Sequence, residues 1–223
     1  MSPGKLSAAT LLHRPAPGCS QRKSDLDCSN ATKASGGQAL PRRVILIGMK
    51  SCGKTTVGRL LARRLGVPFI DMDTQIEQLH HQQTGEKLPF REIFKRYGRD
   101  YFRRLETAAL QQVADSHGSD SFVLATGGGL PMEEQNRQIL RRLGTVVFLD
   151  VRQDVLLARI VARGIPAFFP YPDDPRRSLA ELLDARRPVY RALATVTIEC
   201  RGESPSAVVR KILRQLQQHA CEH

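Results

Sequence analysis

The chain has 223 residues, 41% of them hydrophobic, which is enough for one substantial α/β core with an appendage and too little for several large domains. Its formal charge is +12, and the first 43 residues hold seven Lys/Arg against two Asp, so about seven of the excess charges belong to the remainder. A basic remainder suits small substrates carrying phosphate or carboxylate, whereas 5% aromatics, no tryptophan and no interleaving of basic and aromatic residues argue against a specific nucleic-acid platform. No apolar run reaches the roughly 20 residues of a membrane span, so no membrane partner is expected. The N-terminus also lacks the apolar stretch of a secretory signal. Five scattered cysteines, with no CxxC pair, predict a reducing compartment and no disulfide framework, in line with a cytoplasmic location; a monomer is expected separately.

In chain order, residues 1–41 are rich in Ser, Ala, Gly, Pro and Lys/Arg without apolar periodicity and predict a disordered basic leader. An organelle transit peptide is the alternative, and Asp25 and Asp27 speak against it. Residues 42–223 read as one domain in which short apolar runs alternate with amphipathic stretches, the pattern of a five-stranded parallel sheet with helices on both faces. Strands are predicted at Val44–Ile47, Pro68–Asp71, Phe122–Ala125, Val146–Leu149 and Val196–Glu199. Helices are predicted at Lys54–Leu65, Thr74–Gln83, Asp100–Ser116, Glu133–Leu143, Asp154–Ala162, Leu179–Ala194 and Ser206–Gln218, the last marked by Ser204 as cap and Pro205 in the first turn.

After the first strand the chain reads GMKSCGKTT, with Gly48, Met49, Lys50, Ser51, Cys52, Gly53, Lys54, Thr55 and Thr56 in the P-loop spacing and an amphipathic helix behind them. Glycines let such a loop curl until its N–H groups point at phosphate oxygens, and the following helix adds its positive dipole end. Lys54 then reaches the β and γ phosphates of a nucleotide such as ATP, and the Thr55 hydroxyl coordinates Mg2+. The second strand ends PFIDMD; if it stays extended, Asp71 and Asp73 face the same way into the cleft, one toward the metal and one as proton acceptor. The same DxD also fits a helix cap before Thr74. Farther on, Arg103 and Glu106 are three apart on one helical face and suit an acceptor carrying a carboxylate and hydroxyls, or a plain surface ion pair. Gly127, Gly128 and Gly129 follow an apolar strand and leave room for a ring-sized ligand, or form a flexible turn.

With GMKSCGKTTVGRLLARRLGVPFIDMD, EIFKRYGRDYFRRLE, ATGGG and RRPVYRALA all in place, the chain from about Val44 to Leu216 resembles shikimate kinase, a P-loop enzyme that phosphorylates the 3-hydroxyl of shikimate with ATP. The resemblance implies Lys54 for transition-state charge, Thr55 and Asp71 at Mg2+, and Asp73 as the group that takes the hydroxyl proton. It implies Arg103 and Arg186 as a clamp for the shikimate carboxylate, with Glu106, Gly128 and Gly129 completing the pocket. Arg159 and Pro205 would border the adenine. One feature departs from the family pattern: its lid carries an Arg-Pro pair, whereas the corresponding stretch here reads ARGIPAFFPYPDDP, with Ile165 before Pro166. Three readings follow for a lid at about 163–175. Arg163 substitutes and the protein is a working shikimate kinase; Phe168, Phe169 and Tyr171 shape the lid for another hydroxylated acid; or the domain is a nucleotide-binding regulatory module. The match on the acceptor side favours the first, and Lys54, Thr55 and Asp71 speak against the third.

Overall fold

A computed structural model describes residues 41–117 and 120–221. The predicted leader, save its last residue, lies outside the described residues. Five strands, β1 (Arg43–Ile47), β2 (Phe69–Asp71), β3 (Phe122–Ala125), β4 (Thr145–Val151) and β5 (Val196–Cys200), form one parallel sheet in the order β2-β3-β1-β4-β5. Seven helices connect and flank them: α1 (Lys54–Leu65), α2 (Met72–Thr84), α3 (Phe90–Ser116), α4 (Glu134–Leu143), α5 (Gln153–Arg163), α6 (Pro175–Leu193) and α7 (Pro205–Cys221).

The apolar run of β1 is continuous because both faces of a parallel sheet are covered. Val44, Ile45, Leu46 and Ile47 are all fully buried, each worth roughly 1.5–3 kcal/mol of apolar burial. Alternation splits them between two cores. Val44 and Leu46 pack with Val57 and Leu61 of α1, Ile160 of α5 and Ile212 of α7. Ile45 and Ile47 pack with Ile76 of α2, Leu110 of α3, Leu140 of α4 and Tyr190 of α6. Helix α6 contributes to both, since Leu179 and Leu183 belong to the first cluster.

The strand and helix expectations hold in number and order for the described residues, with three corrections. The second helix starts at Met72, two residues early, because the Asp71 carboxylate caps it by accepting the Asp73 N–H at 3.2 Å. Asp73 therefore sits in the first helical turn and not on extended chain. The third helix starts at Phe90 instead of Asp100, and Gly98 (φ 80, ψ 177) kinks it there. Helix α6 starts at Pro175, four residues before the predicted Leu179; Asp174 caps it by accepting the Arg177 N–H at 3.0 Å. A short 3-10 turn, Leu130–Met132, also follows the glycine run. Among the described residues Cys52, Cys200 and Cys221 are free thiols; Cys19 and Cys28 lie outside them. No described helix is long and apolar enough to cross a membrane.

Candidate active site

The site lies where the β1–α1 loop, the β2–α2 junction and the β3 loop meet at the C-terminal ends of the strands, the usual crevice of an open α/β sheet. The loop from Gly48 to Gly53 curls through Gly48 (φ 141), Ser51 (φ 64) and Gly53 (φ 103). At Gly48 a side chain is excluded twice over, by φ and by the Leu149 carbonyl oxygen, which a Cβ would meet at 2.9 Å. Lys54 is buried, and its ammonium donates to the carbonyls of Gly48 at 2.8 Å and Met49 at 3.0 Å. Thr55 Oγ1 donates to Asp71 Oδ2 at 3.0 Å, which brings the β2 carboxylate to the start of α1.

A cavity of about 530 Å3 opens over these groups and is lined by Lys54, Thr55, Asp71 and Asp73 on one side. Arg103, Glu106, Gly127, Gly128, Gly129 and Arg186 line the same cavity. The carboxylates of the DxD therefore converge on the same space as Lys54, although one of them arrives from a helix. Burial and the neighbouring Asp71 push the Asp73 carboxyl up to about 6, against the pull of Lys54 and Lys50. Glu106 is buried and ion-paired with Arg103; burial pushes its carboxyl up to about 7 while the arginine acts the other way.

The RRP pair of α6 divides its work by helical phase. Arg187 donates to Asp150 Oδ1 at 3.0 Å and to the Val151 carbonyl at 3.1 Å, which with the Arg191 to Asp150 contact at 3.0 Å ties α6 to β4. Arg186, turned toward the cavity, rests near Met49 Sδ at 3.8 Å, and no carboxylate of the described residues pairs with it. One turn on, the buried Tyr190 donates its hydroxyl to the Gly128 carbonyl and holds the glycine loop in place. Burial raises that phenol to about 12, so it stays a donor throughout the accessible range.

Among the other expected residues, Lys50, Ser51, Gly53, Thr56 and Arg163 line the cavity. Met49 and Cys52 are buried behind the loop, and Gly48 forms its base. Arg159 reaches the loop from α5, donating to the Ser51 carbonyl at 3.4 Å, and Pro205 begins α7; neither lines the cavity. Sequence reasoning missed the wall made by Phe90, Arg91, Phe94 and Lys95 at the start of α3. The i, i+4 pairs Phe90/Phe94 and Arg91/Lys95 were the available signal.

The sequence model of the shikimate kinase family matches residues 50–217. The chain is 39% identical over 176 residues to a shikimate kinase from Marinomonas sp., covering 79% of this chain and 92% of that protein. It is 41% identical over 175 residues to one from Pseudomonas savastanoi, covering 78% and 96%. The chain belongs to the shikimate kinase family. Among solved structures it superposes on the shikimate kinase from Acinetobacter baumannii in complex with shikimate with a TM-score of 0.69, 34% identity, and coverage of 81% of this chain and 95% of that one. The family match over residues 50–217 includes the α5–α6 stretch, with Ile165 before Pro166.

The glycine run offers a local test. A Cβ built on Gly129 falls on the Arg103 guanidinium, with Arg103 Cζ at 2.7 Å, while the backbone there (φ −92, ψ −17) accepts any residue. Gly129→Ala is expected to push the flexible arginine head aside and raise the KM for the acid acceptor about 10- to 100-fold, with the melting temperature within about 2 °C of the parent. Steady-state kinetics beside a thermal melt check both parts. An unchanged KM would show that Arg103 does not hold the acid.

Proposed function

We propose that this enzyme transfers the γ-phosphate of ATP to the 3-hydroxyl of shikimate, the kinase step of aromatic amino acid biosynthesis, with the residues described above in the following roles. The observation that carries the assignment is a single cavity shared by Lys54 and Thr55, Asp73, and the arginines Arg103 and Arg186. The loop N–H groups and Lys54 hold the nucleotide phosphates and take up charge as the phosphoryl group moves. Arg103 and Arg186 grip the acceptor carboxylate, and Glu106 and the glycine run orient its ring. Asp73 accepts the proton of the attacking hydroxyl, a task suited to a carboxyl raised toward neutral pH. Arg163 supplies the cation over the γ-phosphate that the family lid takes from its Arg-Pro pair.

The donors fit a hard cation. Thr55 Oγ1 and Asp71 Oδ2 are oxygen atoms hydrogen-bonded 3.0 Å apart at the cavity wall. Magnesium characteristically uses one or two such protein oxygens together with substrate phosphates and water. Thr55 and Asp71 would hold it, and bound there it would neutralise charge on the phosphate oxygens.

A coupled ADP-release assay with Mg-ATP and shikimate tests the proposal. Turnover that depends on shikimate supports it. Release of ADP with a different hydroxylated acid and not with shikimate would assign the lid to another acceptor, the reading in which Phe168, Phe169 and Tyr171 shape it.

A further inference from the structure

The loop between α5 and α6, residues 164–174, is anchored at Phe169 and at Tyr171. Phe169 is buried in the first core cluster, and its N–H donates to the Pro166 carbonyl at 3.0 Å. Tyr171 is bracketed by Ser178, which accepts the Tyr171 N–H at 2.9 Å and donates to the Tyr171 carbonyl at 2.8 Å. The Arg177 guanidinium lies over the Tyr171 ring at 4.1 Å. Just before the first anchor, inside the turn that Phe169 closes onto Pro166, Phe168 is half-buried and lines the cavity.

Two cations converge on that ring from different parts of the site. Lys50 Nζ comes from the phosphate loop and Arg186 Cζ from α6, each 5.5 Å from the ring centroid. Neither has an ion-pair partner among the described residues. Burial, Arg91 and Lys54 disfavour the charged form of Lys50, while Asp73 favours it. An aromatic ring attracts both cations through its quadrupole and so holds near each other two like charges that would otherwise repel.

We propose that Phe168 is a positioning residue that couples the nucleotide and acid sites by holding Lys50 and Arg186 on one ring. The inference rests on the kinase assignment. A phosphate oxygen that compensates Lys50 removes the repulsion felt by Arg186, and the ring then steadies the arginine for the acceptor carboxylate. A bound carboxylate does the same for Lys50 in reverse, and the coupling is reciprocal by linkage.

Calorimetric titration of shikimate, without and with saturating Mg-ADP, reads the coupling directly. In the parent protein ADP is expected to tighten shikimate about fivefold or more. In Phe168→Leu that ratio falls to within about twofold of one, while Phe168→Tyr, which keeps the ring, retains it. If Phe168→Leu does not fold, Lys50→Met removes the other end of the tie and is expected to collapse the ratio in the same way. A ratio that survives in Phe168→Leu or in Lys50→Met, or a ratio of one in the parent, overturns the coupling and leaves the kinase assignment intact. A parent protein that binds ADP but takes no shikimate in either condition overturns the assignment and the coupling with it.

Discussion

Asp73→Asn is expected to lower kcat with shikimate about 10²- to 10⁴-fold, with the KM for ATP changed by no more than a few-fold, because the amide is nearly isosteric but cannot take the hydroxyl proton. The same variant carries a second, oppositely directed signature. Burial and Asp71 raise the Asp73 carboxyl from 3.8 to about 6 in the folded protein, so folding favours its protonated form. That favourable contribution is complete below pH 4 and is lost as pH rises through about 6. At neutral pH the ionised carboxylate therefore costs the ligand-free fold on the order of 2–3 kcal/mol, a cost the neutral asparagine avoids. Melts of the apo protein should find Asp73→Asn more stable than the parent at pH 7.5 and equal to it near pH 3.5. The kcat/KM profile of the parent should fall on its acid side near pH 6. A kcat within threefold of the parent would remove Asp73 from proton transfer, whatever the melts show.

How far the sequence carries the site depends on whether a feature is local. Val44–Ile47 followed by Gly48, Gly53 and Lys54 is a strand, a turn and a helix start within a dozen residues, and each is set by neighbours in sequence. Asp71 and Asp73 are also local, yet the sequence left two geometries open for them, extended chain and helix cap. Period-two alternation and helix capping make competing demands on the same DxD, and the Asp71 cap to the Asp73 N–H settles it for the helix. The cavity wall at Phe90 and Phe94 was lost for a different reason. Gly98 interrupts the helical period with φ 80, so a window spanning it shows two short patterns out of phase. No window at all could find Tyr190, whose hydroxyl meets the Gly128 carbonyl across 62 positions, or decide that Arg186 faces the cavity while Arg187 is tied to Asp150. Those assignments depend on the phase of α6 against β4, which only packing determines. The lid was legible as a departure from the family pattern, while its remedy was not.

Arg163→Ala is expected to reduce kcat about 10²- to 10³-fold, the usual effect of deleting one charge-stabilising donor at a transferring phosphate, with the KM for shikimate held within a few-fold. The argument starts from charge. Ile165 stands where the family pattern places its lid arginine, and it lines the cavity without a charge to offer. Arg163 lines the same cavity from the last turn of α5, where the negative end of the helix dipole favours a cation. It is exposed, and no carboxylate of the described residues pairs with it, so binding a phosphate would not first require an ion pair to break. Gly164 follows with φ 91, a conformation that turns the chain sharply out of the helix and directs residues 165–168 along the cavity. Arg163→Lys should recover part of the loss, because an ammonium restores charge but not the planar fork that holds two phosphate oxygens at once. A kcat that Arg163→Ala leaves unchanged would assign the γ-phosphate charge to the floor of the site instead. Lys50 is then the remaining phosphate-loop cation beside Lys54, and Lys50→Met would inherit the predicted loss.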